Sequence, residues 1–284
     1  MKVGKVTLIG RPNVGKSTLL NNILGQKISI TSPRPQTTRF PIRGVYQDKR
    51  GQIIFIDTPG IFRKIEDRVS LRINPIGRRE AEMADLLLYV VDHTRMPKEE
   101  ERKILGIVRR IEKPKILVIN KIDIQKPSYI HFYQPFAEEC QETVRISALK
   151  GTHIKTLLAV IYQFLPEGQP LVDLSSLPSP ALNLDAKTFI AEIIREKAFL
   201  ATRQEVPYSL AVEVKEMRED DVFYIKALIL TLASRYKRIL VGKKGQMIKK
   251  IGTQARKELE LISGKKVYLD LEVVVDRHWP ERLI

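Results

Sequence analysis

The chain has 284 residues, 43% hydrophobic and 29% charged, a composition that suits folded globular domains and a length that suits two of them. Lysine and arginine number 49 against 33 acidic residues, a formal net charge of +16, which points to a polyanionic partner, either nucleic acid or an anionic membrane surface. The longest apolar run, Leu86–Val91, falls far short of the roughly 20 residues that cross a bilayer, so no membrane span is expected.

The opening MKVGKVTLIG has neither a long apolar stretch nor a small-residue cleavage site, so no signal peptide is expected. Cys140 has no second cysteine to pair with, which suits a reducing cytosol, and one Cys with four His is a poor zinc-ligand set. Up to about residue 165, strand-like runs (Lys5–Ile9, Gln52–Ile56, Leu86–Val91, Lys115–Ile119, Thr143–Ile146) alternate with helical patterns (Thr18–Leu24, Lys98–Ile111, Ile154–Phe164). That alternation predicts an α/β fold, a mostly parallel doubly wound sheet with helices on both faces. Arg43–Asp48 and Gln52–Asp57, separated by Lys49-Arg50-Gly51, predict a hairpin with one antiparallel strand at the sheet edge. Pro166 to Pro180 is rich in Pro, Gly and Ser and reads as a linker. Beyond it the pattern becomes α-β-β-α-α-β: a helix over Ala186–Thr202, strands over Tyr208–Met217 and Val222–Leu232, a helical pair around Gly242–Gly264, and a strand over Lys266–Val275. This order predicts a separate α+β domain.

Gly10-Arg11-Pro12-Asn13-Val14-Gly15-Lys16-Ser17, followed by Thr18, matches the phosphate-binding loop Gly-x4-Gly-Lys-Ser/Thr, with a strand before it and a helix after. Backbone N–H groups and the helix N-terminus suit phosphate oxygens, Lys16 suits the β/γ-phosphates, and the Ser17 hydroxyl suits Mg²⁺. Asp57 ends an apolar strand and is placed to hold Mg²⁺ through water, and Thr58-Pro59-Gly60 follows. Gly60 can offer its N–H to a γ-phosphate. Between them lies Pro35-Gln36-Thr37-Thr38-Arg39, where Thr38 is the favoured switch ligand to the metal. Asn120-Lys121-Ile122-Asp123 selects guanine over adenine, because the Asp123 carboxylate accepts from N1–H and the 2-amino group, donors that adenine lacks. Ser147-Ala148-Leu149-Lys150 follows the next strand, where the Ala148 backbone can meet the guanine O6.

In the second part, Gly242-Lys243-Lys244-Gly245 sits between two helical patterns and resembles the Gly-x-x-Gly loop with which KH modules clamp about four nucleotides. Residues 222 to 257 hold ten Lys/Arg, Lys249 and Lys250 among them, and no Asp/Glu. Ile248 and Ile251 either line an apolar groove for bases or pack in the core. Trp279 either stacks on a base or packs as a C-terminal clasp, and its large area favours packing.

The strings GRPNVGKST, QTTR, DTPG and NKID, in order and followed by this second domain, resemble the Era family of bacterial GTPases. The resemblance implies a GTPase domain over residues 1–165, a linker over 166–181 and a type II KH domain over 182–284. It further implies a cytoplasmic GTP/GDP switch that hydrolyses GTP and binds the 3′ end of small-subunit (16S) rRNA in small ribosomal subunit assembly. A monomer is expected, with peripheral contact to the inner face of the cell membrane as a further partner. Ile61 stands where many GTPases carry a water-orienting Gln. Asn13 stands where some related GTPases hold K⁺, although an Asn in a tight turn needs no ion to explain it. Two rivals remain at this stage: a membrane-surface signalling GTPase whose basic domain reads anionic lipid, and a GTP-binding scaffold without useful turnover.

Overall fold

The chain divides into two compact units, Met1–Asn183 and Leu184–Ile284. The computed structural model describes residues 1–31, 38–59, 77–174, 184–202 and 205–282. Expectations for Pro35, Gln36, Thr37, Gly60, Ile61 and the stretch from Ser175 to Pro180 therefore fall outside the described residues.

In the first unit, β1 (Lys2–Ile9), β3 (Gly51–Asp57), β4 (Leu86–Asp92) and β5 (Lys115–Asn120) are rich in Val, Ile and Leu and nearly all buried. Such continuous apolar runs suit strands covered on both faces. With β2 (Ile42–Asp48) and β6 (Glu142–Arg145) they form one sheet in the order β2-β3-β1-β4-β5-β6. Only the β2–β3 hairpin is antiparallel, and it places β2 at the edge as the sequence predicts. Helices with described bounds include α1 (Lys16–Leu24), α2 (Glu99–Arg110), α3 (Gln134–Ala137) and α4 (Ile154–Phe164). Ile104 and Val108 of α2 pack with Leu87, Tyr89 and Leu117 of the sheet. β1 lies between β3 and β4, so strand order reverses beside it, and ligands bind at such switch points, beyond the carboxyl ends of the strands. The loop after β1 opens there.

The start of the predicted linker is tied to this unit. Val3 donates its N–H to the Pro166 carbonyl at 2.9 Å, and Gly168 to that of Met1 at 2.9 Å. Gln52, fully buried, accepts from the N–H groups of Leu171 and Val172 at 2.8 and 3.0 Å and donates to the Val172 carbonyl at 2.8 Å. Pro166, Gly168 and Pro170 disfavour a helix there, but one side chain serves the backbone as a neighbouring strand would.

The second unit runs α5 (Ala186–Ala201), β7 (Leu210–Glu219), β8 (Val222–Thr231), α6 (Ser234–Val241), α7 (Gln246–Ser263) and β9 (Lys266–Val275). Asp185 caps α5, accepting from the Thr188 N–H at 2.7 Å. The sheet order is β7-β8-β9, with β7–β8 antiparallel and β8–β9 parallel. Ile193, Ile194, Ile225, Ile229, Leu240, Ile251 and Ala255 form its core. β7 starts at Leu210 and not at Tyr208, because Pro207 opens a 3₁₀ turn over Val206–Ser209. Trp279 is 2% exposed, and its indole N–H donates to the Ser209 carbonyl at 3.3 Å. It is a clasp and offers no face to a base.

Candidate functional site

The phosphate-binding loop is held by its own Lys16 and by two side chains from outside it. Lys16 Nζ donates to the carbonyls of Gly10 (3.1 Å) and Arg11 (3.0 Å), Arg95 to Pro12 (3.2 Å) and Asn120 Nδ2 to Val14 (2.7 Å). In a trans peptide the next N–H points opposite to the carbonyl, so with the Pro12 and Val14 carbonyls held by Arg95 and Asn120 the N–H groups of Asn13 and Gly15 point the other way, the arrangement by which a loop before a helix receives an anion. Gly15 has φ +101, and a Cβ there would lie 2.3 Å from Asn120 Nδ2, so glycine is required twice over. Asn13 is left-handed, φ 65, a conformation that asparagine tolerates by turn chemistry alone.

The Arg11 side chain does not face the phosphates. It is 2% exposed, and its Nε lies 2.5 Å from Glu101 Oε2 of α2. Glu101 also accepts from the Tyr89 hydroxyl and, at 3.0 Å, from the Tyr133 hydroxyl. Burial, with the Glu101 charge beside them, pushes both tyrosine pKa values up. Arg11 can therefore serve a nucleotide only through its backbone.

The metal-ligand candidates converge. Ser17 Oγ donates to Asp57 Oδ2 at 2.5 Å and lies 3.1 Å from Thr38 Oγ1, so the structure brings these three candidates together. Ser29 Oγ donates to the same Asp57 oxygen at 2.9 Å, a contact that no sequence motif announces. Asp57 Oδ1 is buried and has no hydrogen-bond partner. Burial raises the Asp57 pKa, opposed by the Lys16 charge and these hydroxyls, and burial lowers that of Lys16, opposed by Asp57. A buried carboxylate with one unsatisfied oxygen, beside hard hydroxyl oxygens, fits Mg²⁺. Thr58 and Pro59 follow, and Thr58 Oγ1 donates to the Leu8 carbonyl at 2.7 Å.

Asn120 joins the loop to the base-selecting segments. Besides holding Val14, its Oδ1 accepts from the N–H groups of Lys121 (2.7 Å) and Ala148 (2.9 Å). Lys121 is left-handed, φ 70, and pairs with Asp92 at 2.6 Å. His93, buried and absent from the sequence prediction, reaches the Lys121 carbonyl at 3.1 Å. Ser147 Oγ donates to Asp123 Oδ1 at 2.6 Å, which orients an exposed carboxylate, and Leu149 is 71% exposed.

In the second unit the Gly-x-x-Gly loop is a sharp turn, with φ of 73 at Gly242, 50 at Lys244 and 75 at Gly245. Lys243 and Lys244 are exposed. Lys249 and Lys250 line an open depression with Gln246, Thr253 and Gln254. Ile248 is half-buried against the core, and Ile251 is fully buried within it. Ile251 faces inward because its position on α7 lies on the apolar stripe, so it is not a groove wall open to bases.

The comparisons agree over the whole chain. A family model described as "50S ribosome-binding GTPase" matches residues 5–121, and one described as a KH domain matches residues 205–280. GTPase Era of Halothermothrix orenii is 41% identical over 286 residues, covering 99% of this chain and 95% of the relative. GTPase Era of Aquifex aeolicus is 43% identical over 298 residues, covering 99% and 96%. A solved Aquifex aeolicus Era variant bound to GDP·AlF4⁻ has TM-score 0.90 at 42% identity, covering 99% of this chain and 96% of that one. A solved Era in complex with MgGDPNP and nucleotides 1506–1542 of 16S ribosomal RNA has TM-score 0.91 at 41% identity, with the same coverage. With a phosphate loop stitched to a guanine-type box, a basic KH-like second unit and relatives above 40% identity along nearly its full length, this chain belongs to the Era family of GTPases.

Proposed function

We propose that the chain is a GTP-dependent switch that binds the 3′ end of small-subunit rRNA and acts in small-subunit assembly. One observation carries the reading: the guanine-type site and the basic Gly-x-x-Gly loop occur together, and both units match an Era solved with MgGDPNP and 16S rRNA. The family-model description names the large subunit but covers only residues 5–121, so the two-unit match weighs more.

In this reading the backbone N–H groups from Asn13 to Thr18 and the Lys16 ammonium cradle the phosphates, and Gly60 adds its N–H to the γ-phosphate. Asp123 and the Ala148 N–H read guanine, and the Lys121 stem, fixed by Asp92, covers the base. Ser17, Thr38 and Asp57 hold Mg²⁺, which when bound neutralises phosphate charge. Ile61 has no group to orient water, so hydrolysis rests on positioning and electrostatics. Lys243, Lys244, Lys249 and Lys250 hold RNA phosphates, with Ile248 beside them. Residues 1–165, 166–181 and 182–284 serve as GTPase domain, linker and KH domain. The protein acts in the cytoplasm as a monomer. A lipid-reading role is the lesser reading, because the basic cluster centres on a loop shaped for nucleic-acid backbone.

Fluorescence anisotropy with a labelled strand from the 16S 3′ end tests this. Lys243→Asp with Lys244→Asp should weaken RNA binding more than tenfold, about 1.4 kcal/mol or more, and leave GTP affinity unchanged. Parent binding should weaken with salt and be tighter with a GTP analogue than with GDP. Equal binding by parent and double variant, or binding to anionic liposomes in place of RNA, refutes the RNA assignment.

A further inference from the structure

Asp57 is held by two hydroxyls on one oxygen, and only Ser17 belongs to a recognised motif. The other, Ser29, is 1% exposed and donates to Asp57 Oδ2 at 2.9 Å. Its backbone is fixed by a single side chain. Asn21 Oδ1 accepts from the N–H groups of Ile28 (3.0 Å) and Ser29 (2.9 Å), and Asn21 Nδ2 donates to the Ser29 carbonyl at 2.7 Å. Asn21 lies on α1 four residues beyond Ser17, one turn along the same face. Ile28 and Ile30, each 4% exposed, bury the flanks. A rigid path therefore runs from the helix after the phosphate loop, through Asn21 and Ser29, to the carboxylate that ends β3.

We propose that Ser29 is a positioning residue of the metal site: it holds Asp57 by Oδ2 and so fixes the carboxylate against the Ser17 and Thr38 hydroxyls, with Asn21 as its anchor. This rests on the Mg²⁺-nucleotide reading above. The terminal torsion of an aspartate is broad, so a carboxylate with one held oxygen needs a donor to fix it. Ser17 is itself a candidate ligand and shares its oxygen with Thr38 at 3.1 Å. Ser29 is the donor on Asp57 that stands outside the ligand set. Outer groups that orient a ligand typically change metal affinity 10- to 100-fold when removed.

The test is release of a fluorescent GDP analogue, followed from EDTA through rising Mg²⁺. In Ser29→Ala the Mg²⁺ concentration for half-maximal slowing should rise about tenfold or more. Release in EDTA should stay within about twofold of the parent, since in this reading the hydroxyl acts through the metal shell. Ser29→Thr, which keeps the hydroxyl, should restore the midpoint, and Ser29→Cys, close in size but a weak donor, should behave like alanine. An unchanged midpoint, or equal acceleration with and without Mg²⁺, overturns the proposal and leaves Ser29 a packing residue. A parent chain whose GDP release ignores Mg²⁺ removes the metal site itself, and this role with it.

Discussion

Replacing Glu101 by glutamine keeps the side chain's shape and removes one charge from a place that water does not reach. The Arg11 and Glu101 side chains are 3% and 4% exposed, and the Tyr89 and Tyr133 hydroxyls both donate to the carboxylate. Arg11 Nε and Nη2 have no hydrogen-bond acceptor of good geometry, so the charge of Glu101 beside it, with that of Glu100 adding to it, is what compensates the guanidinium. Breaking one side of a buried pair costs about 3–5 kcal/mol, because the remaining charge stays desolvated. The first unit, Met1–Asn183, is of a size for which 1 kcal/mol moves Tm by about 2–4 °C, so Glu101→Gln should lower its transition by about 6–20 °C. Calorimetry reads that transition. Fluorescence of Trp279, the only tryptophan, reports the second unit and should not move. Adding Arg11→Met should recover much of the loss, with a coupling of about 2 kcal/mol or more. A shift below about 3 °C, or additive losses in the double variant, refutes the view that the pair compensates buried charge.

Asp123→Asn should weaken GTP binding and improve the relative affinity for a xanthine nucleotide; calorimetry giving equal ATP and GTP affinity for the parent sinks the guanine assignment. If Asn13 holds K⁺ as well as making a turn, GTP turnover should be faster in potassium than in sodium at matched ionic strength, and the difference should vanish in Asn13→Ala. Burial raises the Cys140 thiol to about 11 from its ordinary 9.0, which favours the neutral thiol. Alkylation of the folded chain at pH 8 should therefore run about a hundredfold slower than that of the unfolded chain, since thiolate is the reacting form.

The chemistry that was legible in sequence lies in short strings. A phosphate loop, a strand-end aspartate and the Asn-Lys-x-Asp box each keep their function within a few residues, so spacing alone reveals them. The contacts that hold those strings in place were not legible. Ser29 meets Asp57 across 28 positions and Arg11 meets Glu101 across 90, and no local pattern marks either partner. Periodicity found nearly every strand and helix, because burial on one or both faces is written into residue alternation. It could not decide whether Ile251 faced a groove or the core, since both faces accept isoleucine; helix phase decided for the core. Tyr208 read as strand because aromatic residues favour strands, and the Pro207 turn overrode it.

The pinning of the Gly10, Arg11, Pro12 and Val14 carbonyls bears on affinity as well as geometry. A floppy loop would lose conformational entropy each time a nucleotide arrived and regain it on departure. Here Lys16, Arg95 and Asn120 hold four loop carbonyls, so the loop has less conformational entropy left to lose when a nucleotide binds. Such preorganisation favours affinity by cutting the ordering cost of binding, and it does so for diphosphate and triphosphate alike.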